Sequence, residues 1–342
     1  MSLILISSTR FAEHETPPGH PERPERAEVM DVVAARWRTG GGTVIEPRAA
    51  TFDELARVHD AGYLRRIAAT AGRAAALDPD TYMSPDSHEI ALLAAGAAIE
   101  AVERVINGPY QTALALVRPP GHHAERNRAM GFCVYNNLAI AAAHARARGV
   151  KRVAIVDYDV HHGNGTQHMF EDDPTVLYIS THQYPFYPGT GASSEIGTGA
   201  GAGFTVNLPL EAGAADDDYR IVFAEVIVPV LRQFQPDVLL VSAGFDAHER
   251  DPLASMRLTT AAFGAMTMEL RAVAEACCGG RMALVTEGGY DLQAFAASLD
   301  AVVQVLAGSP SAPKWPTRAA ASERGRRSAD AAKHALARFW RL

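Results

Sequence analysis

The stretch 152–167, RVAIVDYDVHHGNGTQ, decides the fold. It opens on an unbroken apolar run, Val153 to Val156. A strand apolar on both faces is covered on both sides, as in a parallel sheet held between helices. Immediately after the run come Asp157, Asp159 and His161. Ionisable groups following an apolar strand are costly to bury unless paired, protonated or bound to metal.

Working outward, seven further runs read as strands: LILISS (3–8), TVIEP (43–47), TALALV (112–117), VLYIST (176–181), FTVNLPL (204–210), DVLLVSAG (237–244) and MALVTEGG (282–289). Ala-rich stretches near 89–106, 138–148, 215–233 and 260–276 supply crossover helices between them. The alternation predicts one doubly wound α/β domain over 1–313, with a basic helical extension, 314–342, packed on it. In such sheets ligands sit beyond the carboxyl ends of the strands. Two long loops, HETPPGHPERPER (14–26) and THQYPFYPGTGASSEIGTGAGAG (181–203), are the size that functional loops reach.

Composition narrows the class. The 342 residues are 48% apolar and 21% charged with net charge −7, a soluble globular balance that gives no electrostatic case for nucleic acid. The eight Lys/Arg after residue 313, against two acidic residues, read as a solvated helix face. Three cysteines, Cys133, Cys277 and Cys278, form neither a disulfide framework nor a Cys-rich metal site. No apolar stretch has the ~20 residues of a membrane span, and the N-terminus lacks the features of a signal peptide. A cytoplasmic location is expected.

The chemistry gathers at four strand ends: RPPGHHAE (118–125), Asp157 to Asn164, Asp246, and Gly288-Gly289-Tyr290. Asp159 and His161, two residues apart, point the same way if locally extended and both reach one metal. Asp246 is the best third ligand. The mixed N/O set suits zinc, with iron and cobalt left open by ligand type. His122-His123 would provide acid–base chemistry. Asp157 and Asn164 are placed to orient them, and unlike partners would give the two imidazoles different pKa values. The Tyr290 phenol would donate to a carbonyl oxygen and to the oxyanion it becomes.

RPPGHHAE, GFCVYNN (131–137), DYDVHHGNGTQ (157–167), SAGFDAH (242–248) and EGGY (287–290) together resemble the histone deacetylase and acetylpolyamine amidohydrolase superfamily. HPERPER (20–26) and Asn164 look most like its class II-type members. The resemblance runs from the first loop to about residue 306 and implies the single-domain arginase/deacetylase-like fold, with a mainly parallel eight-stranded sheet. It implies zinc on Asp159, His161 and Asp246, His123 as general base and acid, His122 as its electrostatic partner on Asp157, and Tyr290 polarising the carbonyl. It places Gly131, Phe132, Phe186, Tyr187, Leu253 and Gly289 along an acyl-lysine tunnel, and Arg23 in an acetate-release channel. It also implies potassium at Asp157, Asp159, His161, Ser180 and Thr181, and a second ion at carbonyls near Phe170, Asp173, Val176 and Phe204.

The expected activity is hydrolysis of acetyl-lysine in peptides or proteins. The alternative is an acetylated polyamine or other small amine. Leu253 stands where one polyamine-selective branch carries an acidic residue, and no large insertion lies between 77 and 100; both features favour acyl-lysine. A two-metal ureohydrolase of the arginase fold needs a further carboxylate where Gly163 stands. An inactive acetyl-lysine-binding scaffold has no reason to keep every catalytic side chain. A homo-oligomer is compatible with the sequence.

Overall fold

The computed structural model describes residues 2–309, Trp315 and 322–342. Its strands are β1 (Leu3–Ile6), β2 (Thr43–Ile45), β3 (Ala75–Ala76), β4 (Tyr82–Met83), β5 (Thr112–Ala115), β6 (Val153–Asp157), β7 (Val176–Gln183), β8 (Thr205–Leu210), β9 (Val238–Ala243) and β10 (Met282–Thr286). β3 and β4 form a small antiparallel ladder; the other eight make one sheet in the order β2-β1-β5-β10-β9-β6-β7-β8. Every pairing in that sheet is parallel. Seven of the eight expected apolar runs contain one of its strands, and the eighth, 176–181, is overrun by β7, which continues to Gln183. All residues of β1, β5, β6, β7, β9 and β10 are buried, which is why their sequences carry no polar alternation.

Helices cover both faces: α1 (Glu25–Thr39), α2 (Phe52–Leu55), α3 (Ala61–Ala68), α4 (Ser87–Ile106), α5 (Asn137–Ala147), α6 (Asn164–Phe170), α7 (Asp216–Val222), α8 (Val228–Phe234), α9 (Thr260–Cys278), α10 (Leu292–Leu306) and α11 (Glu323–Leu336). Alanine in α4 lets backbones approach closely. A Cβ added at Gly96 would stand 1.7 Å from the Arg48 carbonyl oxygen. The stretch 215–233 is not one regular helix. A π turn, Phe223–Ile227, separates α7 from α8, and Pro229 just beyond it has no N–H to continue the ladder.

The expected boundary at 313/314 lies outside the described residues. α11 itself packs on α7 and on the edge strand β8. Asp218 accepts the Gly325 N–H at 2.8 Å, and Trp340 Nε1 donates to the Gly203 carbonyl at 2.7 Å. Among the described residues no helix is long and apolar enough to cross a membrane.

His59, between α2 and α3, is buried with Nδ1 2.9 Å from the Glu125 carbonyl and Nε2 accepting the Asn136 N–H at 3.0 Å. That pairing needs the neutral ring, and burial lowers its pKa from 6.5 to about 4. The unfolded chain therefore binds more protons between those two values. Stability from this group is complete above pH 6.5 and is lost as pH falls toward 4, by roughly 3 kcal/mol. Denaturant titrations from pH 4 to 7 should show that His59→Gln, whatever its cost at pH 7, flattens the stability-versus-pH slope by up to one proton. An unchanged slope would contradict the assignment.

Candidate active site

β5, β10, β9 and β6 are adjacent, and their carboxyl ends fall level: Ala115 pairs with Val285, Thr286 with Ala243, and Ser242 with Asp157. The chain passes directly from β5 to β6 with β10 and β9 between them, so the crevice is a topological switch point. All four predicted clusters meet there.

Asp159, His161 and Asp246 place one donor atom each within 4.8 Å of one another. His161 Nδ1 lies 3.2 Å from Asp159 Oδ1 and 3.1 Å from Asp246 Oδ2. The remaining oxygens are committed elsewhere. Asp159 Oδ2 accepts the Gly288 N–H at 2.8 Å, and Asp246 Oδ1 accepts the Val160 N–H at 2.9 Å. One oxygen of each carboxylate thus faces the imidazole, and that of Asp159 also accepts the His161 N–H at 2.9 Å. Burial and Asp159 push the Asp246 carboxyl up, whereas His122 and His161 outweigh burial at Asp159 and hold it down. A single proton on Nδ1 cannot serve two carboxylates equally; a small cation among the three donors does, and an N/O set fits zinc. Glycine is required around them. A Cβ at Gly244 would lie 2.1 Å from Asp159 Oδ2, and one at Gly288 would lie 2.2 Å from Asp246 Oδ2.

The rings of His122 and His123 lie tilted against each other with centroids 4.0 Å apart. His122 Nδ1 is 3.1 Å from Asp157 Oδ2, and His123 Nδ1 is 2.7 Å from Asn164 Oδ1. Burial disfavours the His122 cation, but Asp159 and Asp157 overcome it and raise its pKa to about 10. Burial, then the neighbouring His122 and His161, drive His123 well below the usual histidine range. Their unlike surroundings thus drive the two pKa values in opposite directions. Glu287 fixes their backbone, its Oε2 accepting the Gly121 and His122 N–H groups at 2.6 and 3.2 Å.

These side chains floor a cavity of about 190 Å³ walled by Gly131, Phe132, Phe186, Tyr187, Leu253 and Tyr290. Phe186 stacks on His161 at 5.5 Å, and Tyr187 meets His123 edge-on at 5.1 Å. Phe132 stands edge-on to Tyr290 at 5.8 Å, with φ of 68° at Phe132 turning the chain into the cavity. Two residues expected at the site stand off this cavity. Gly289 does not line the cavity; Gly288 does, and a Cβ at Gly289 would meet Phe245 and Phe295 behind it. Arg23 is half exposed beside Glu25, whereas Arg26 is wholly buried with its guanidinium 5.1 Å from the Tyr290 ring centroid. Arg26 is the first buried position of α1, in line with Met30, Val33 and Ala34; Arg23 precedes the helix.

The positions predicted for potassium lie as follows. Ser180 pairs with Asp157 across the ladder, and its hydroxyl is 2.9 Å from His182 Nδ1. The Thr181 hydroxyl is buried without a protein partner. The carbonyls of Phe170, Asp173 and Phe204 accept the N–H groups of Asp173, Val176 and Tyr178 at 2.9, 3.2 and 2.9 Å.

Sequence reasoning missed Asp80 in the cavity wall and the carboxylates of Glu287 and Glu22. Glu22 Oε1 accepts from Arg26 at 3.0 Å and from Arg118 at 2.5 Å, all three side chains being fully buried. The i, i+4 spacing of Glu22 and Arg26 was the available signal. Burial would raise the Glu22 pKa, but Arg118 and Arg26 lower it to about 2. Glu22→Gln strands two buried guanidiniums and should cost about 3–5 kcal/mol in equilibrium unfolding at pH 7. A loss below ~1 kcal/mol would mean that the ion pairs are not what neutralises them.

An all-parallel sheet carrying this Asp–His–Asp cluster and tandem histidines at its switch point is the frame of a hydrolase. Residues 20–306 match the family model of the histone deacetylase domain, and the chain belongs to that family. It is 41% identical over 292 residues to a probable deacetylase of Archaeoglobus fulgidus, covering 84% of this chain and 81% of that one. It is 41% identical over 312 residues to the Homo sapiens polyamine deacetylase HDAC10, covering 85% of this chain and 45% of that protein. The crystal structure of the HDA15 HD domain superimposes with a TM-score of 0.90 at 38% identity, covering 99% of this chain and 96% of that one.

Proposed function

We propose that the chain is a zinc-dependent amidohydrolase that cleaves the acetyl amide of acetyl-lysine in peptides or proteins and releases acetate. One observation carries the reading. Two adjacent histidines with unlike partners, His122 on Asp157 and His123 on Asn164, stand beside the Asp159–His161–Asp246 donors in one aromatic-walled cavity.

Zinc held by those donors supplies Lewis acidity and lowers the pKa of water toward ~7. His123, its Nδ1–H donated to Asn164, keeps Nε2 free to take the proton of the attacking water. His122, kept protonated by Asp159 and Asp157, stabilises the negative charge that develops at the acyl carbon's oxygen. Burial holds the Tyr290 phenol far above its ordinary pKa, so it remains an O–H donor to that oxygen. His123 then returns its proton to the leaving amine nitrogen. Phe132, Phe186 and Tyr187 leave room for an unbranched aliphatic arm. Potassium at the sites named above would compensate the buried Asp157 carboxylate, which is another part of this reading.

Leu253 gives the cavity mouth an apolar wall, which suits the stem of an acyl-lysine. The Asp80 carboxylate on the same cavity offers a partner to a second cationic amine and supports an acetylpolyamine as the second reading.

Turnover of an acetyl-lysine peptide should fall by about 100-fold or more in Tyr290→Phe and His123→Ala. Chelation should abolish it and zinc restore it. Near-full activity in either variant, or activity indifferent to chelation, sinks the mechanism. N-acetylputrescine turned over orders of magnitude faster than the peptide would move the substrate assignment to polyamines.

A further inference from the structure

The Glu287–Asp291 segment that ends in Tyr290 is gripped on two sides. On one side Arg26 donates to the carbonyls of Glu287 and Gly289, and the Gly288 N–H is taken by Asp159. On the other side a single carboxylate, Asp251, takes the amides of Tyr290 and Asp291. Its Oδ2 accepts the Tyr290 N–H at 2.7 Å and the Asp291 N–H at 3.3 Å. Its Oδ1 accepts the Leu253 N–H at 3.0 Å. The Asp251 side chain is buried, and among the described residues no cation forms an ion pair with it. A carboxylate buried without a countercharge carries a desolvation cost; burial and Asp246 push its pKa up to about 7, against the opposing pull of the three backbone donors. Two of those donors, Leu253 and Tyr290, line the same cavity.

We propose that Asp251 is a positioning residue that locks the cavity-mouth residue Leu253 and the hydroxyl donor Tyr290 to one spacing. The proposal rests on the oxyanion role of Tyr290 given above. Leu253 and Tyr290 come from different connections, after β9 and after β10, and Asp251 joins them through both of its oxygens. Misplacing a reacting group by about 1 Å can cost 100-fold in rate. Loosening this clamp therefore acts on turnover through Tyr290 and on substrate affinity through Leu253.

Asp251→Asn keeps the size but retains one acceptor oxygen, so one arm of the clamp meets an amide N–H with an NH2 group. With an acetyl-lysine peptide and zinc-loaded enzyme, kcat should drop about 10- to 100-fold and KM rise several-fold. Tyr290→Phe should lower kcat with KM nearly unchanged. In the Tyr290→Phe background, Asp251→Asn should leave kcat within about two-fold while the rise in KM persists, because the hydroxyl it places is already gone. Equal kcat losses in both backgrounds, an unchanged kcat in the single variant, or a loss explained by reduced zinc content would each overturn the proposal. Tyr290→Phe alone reports on the chemistry; only the comparison of backgrounds reports on Asp251. If Asp251→Asn does not fold, Asp251→Ser, which also keeps one acceptor, is carried through the same cycle with the same expected pattern.

Discussion

Asp159 and Asp246 stand buried side by side, and their mutual repulsion is the constraint around which the rest of the molecule is arranged. Each carboxylate turns one oxygen to the His161 ring, that of Asp159 also accepting the His161 N–H, and commits the other to a backbone amide far along the chain. The amides come from Gly288 and Val160, so the loops after β10 and β6 must meet at van der Waals limits, and no side chain fits at Gly244 or Gly288. Negative charge at this point also fixes the state of its neighbours. Asp159 raises the pKa of His122, and His122 in turn lowers that of His123. Acid–base asymmetry between two adjacent, chemically identical side chains thus follows from where the carboxylates sit.

A second shell of charge lies behind the first. Arg26 and Arg118 share Glu22, and their other N–H groups reach carbonyls of Phe11, His14, Glu287 and Gly289. The N-terminal loop and the β10 loop are therefore joined through buried guanidiniums. Arginine suits this because its planar fork serves several acceptors at once. The ring face of Tyr290 rests against one of these cations.

Much of this was legible in the sequence. Buried parallel strands appear as uninterrupted apolar runs, so all eight sheet strands were readable, and the ionisable residues just after them marked the crevice. α1 was harder to read: its buried stripe of Arg26, Ala27, Met30, Val33 and Ala34 includes an arginine and is diluted by charge. That is also why Arg23 and Arg26 could be exchanged. The two differ only in which side of the helix start they occupy. Glu287 and Asp251 were not readable at all, because their partners are long-range backbone amides that carry no side-chain signature. The π turn before α8 was hidden because Pro229 at a helix start looks the same whether or not another helix precedes it.

The level ending of β5, β10, β9 and β6 separates two kinds of inheritance. A one-residue slip in any of these strands would turn its side chains to the opposite face and scatter the cluster beyond it. The loop segments that wall the cavity around Phe132, Phe186 and Leu253 carry no such register. They can lengthen, shorten or exchange residues while the strand ends stay fixed. A lineage built on this frame is free to change which amine it admits long before it can change what it does to it.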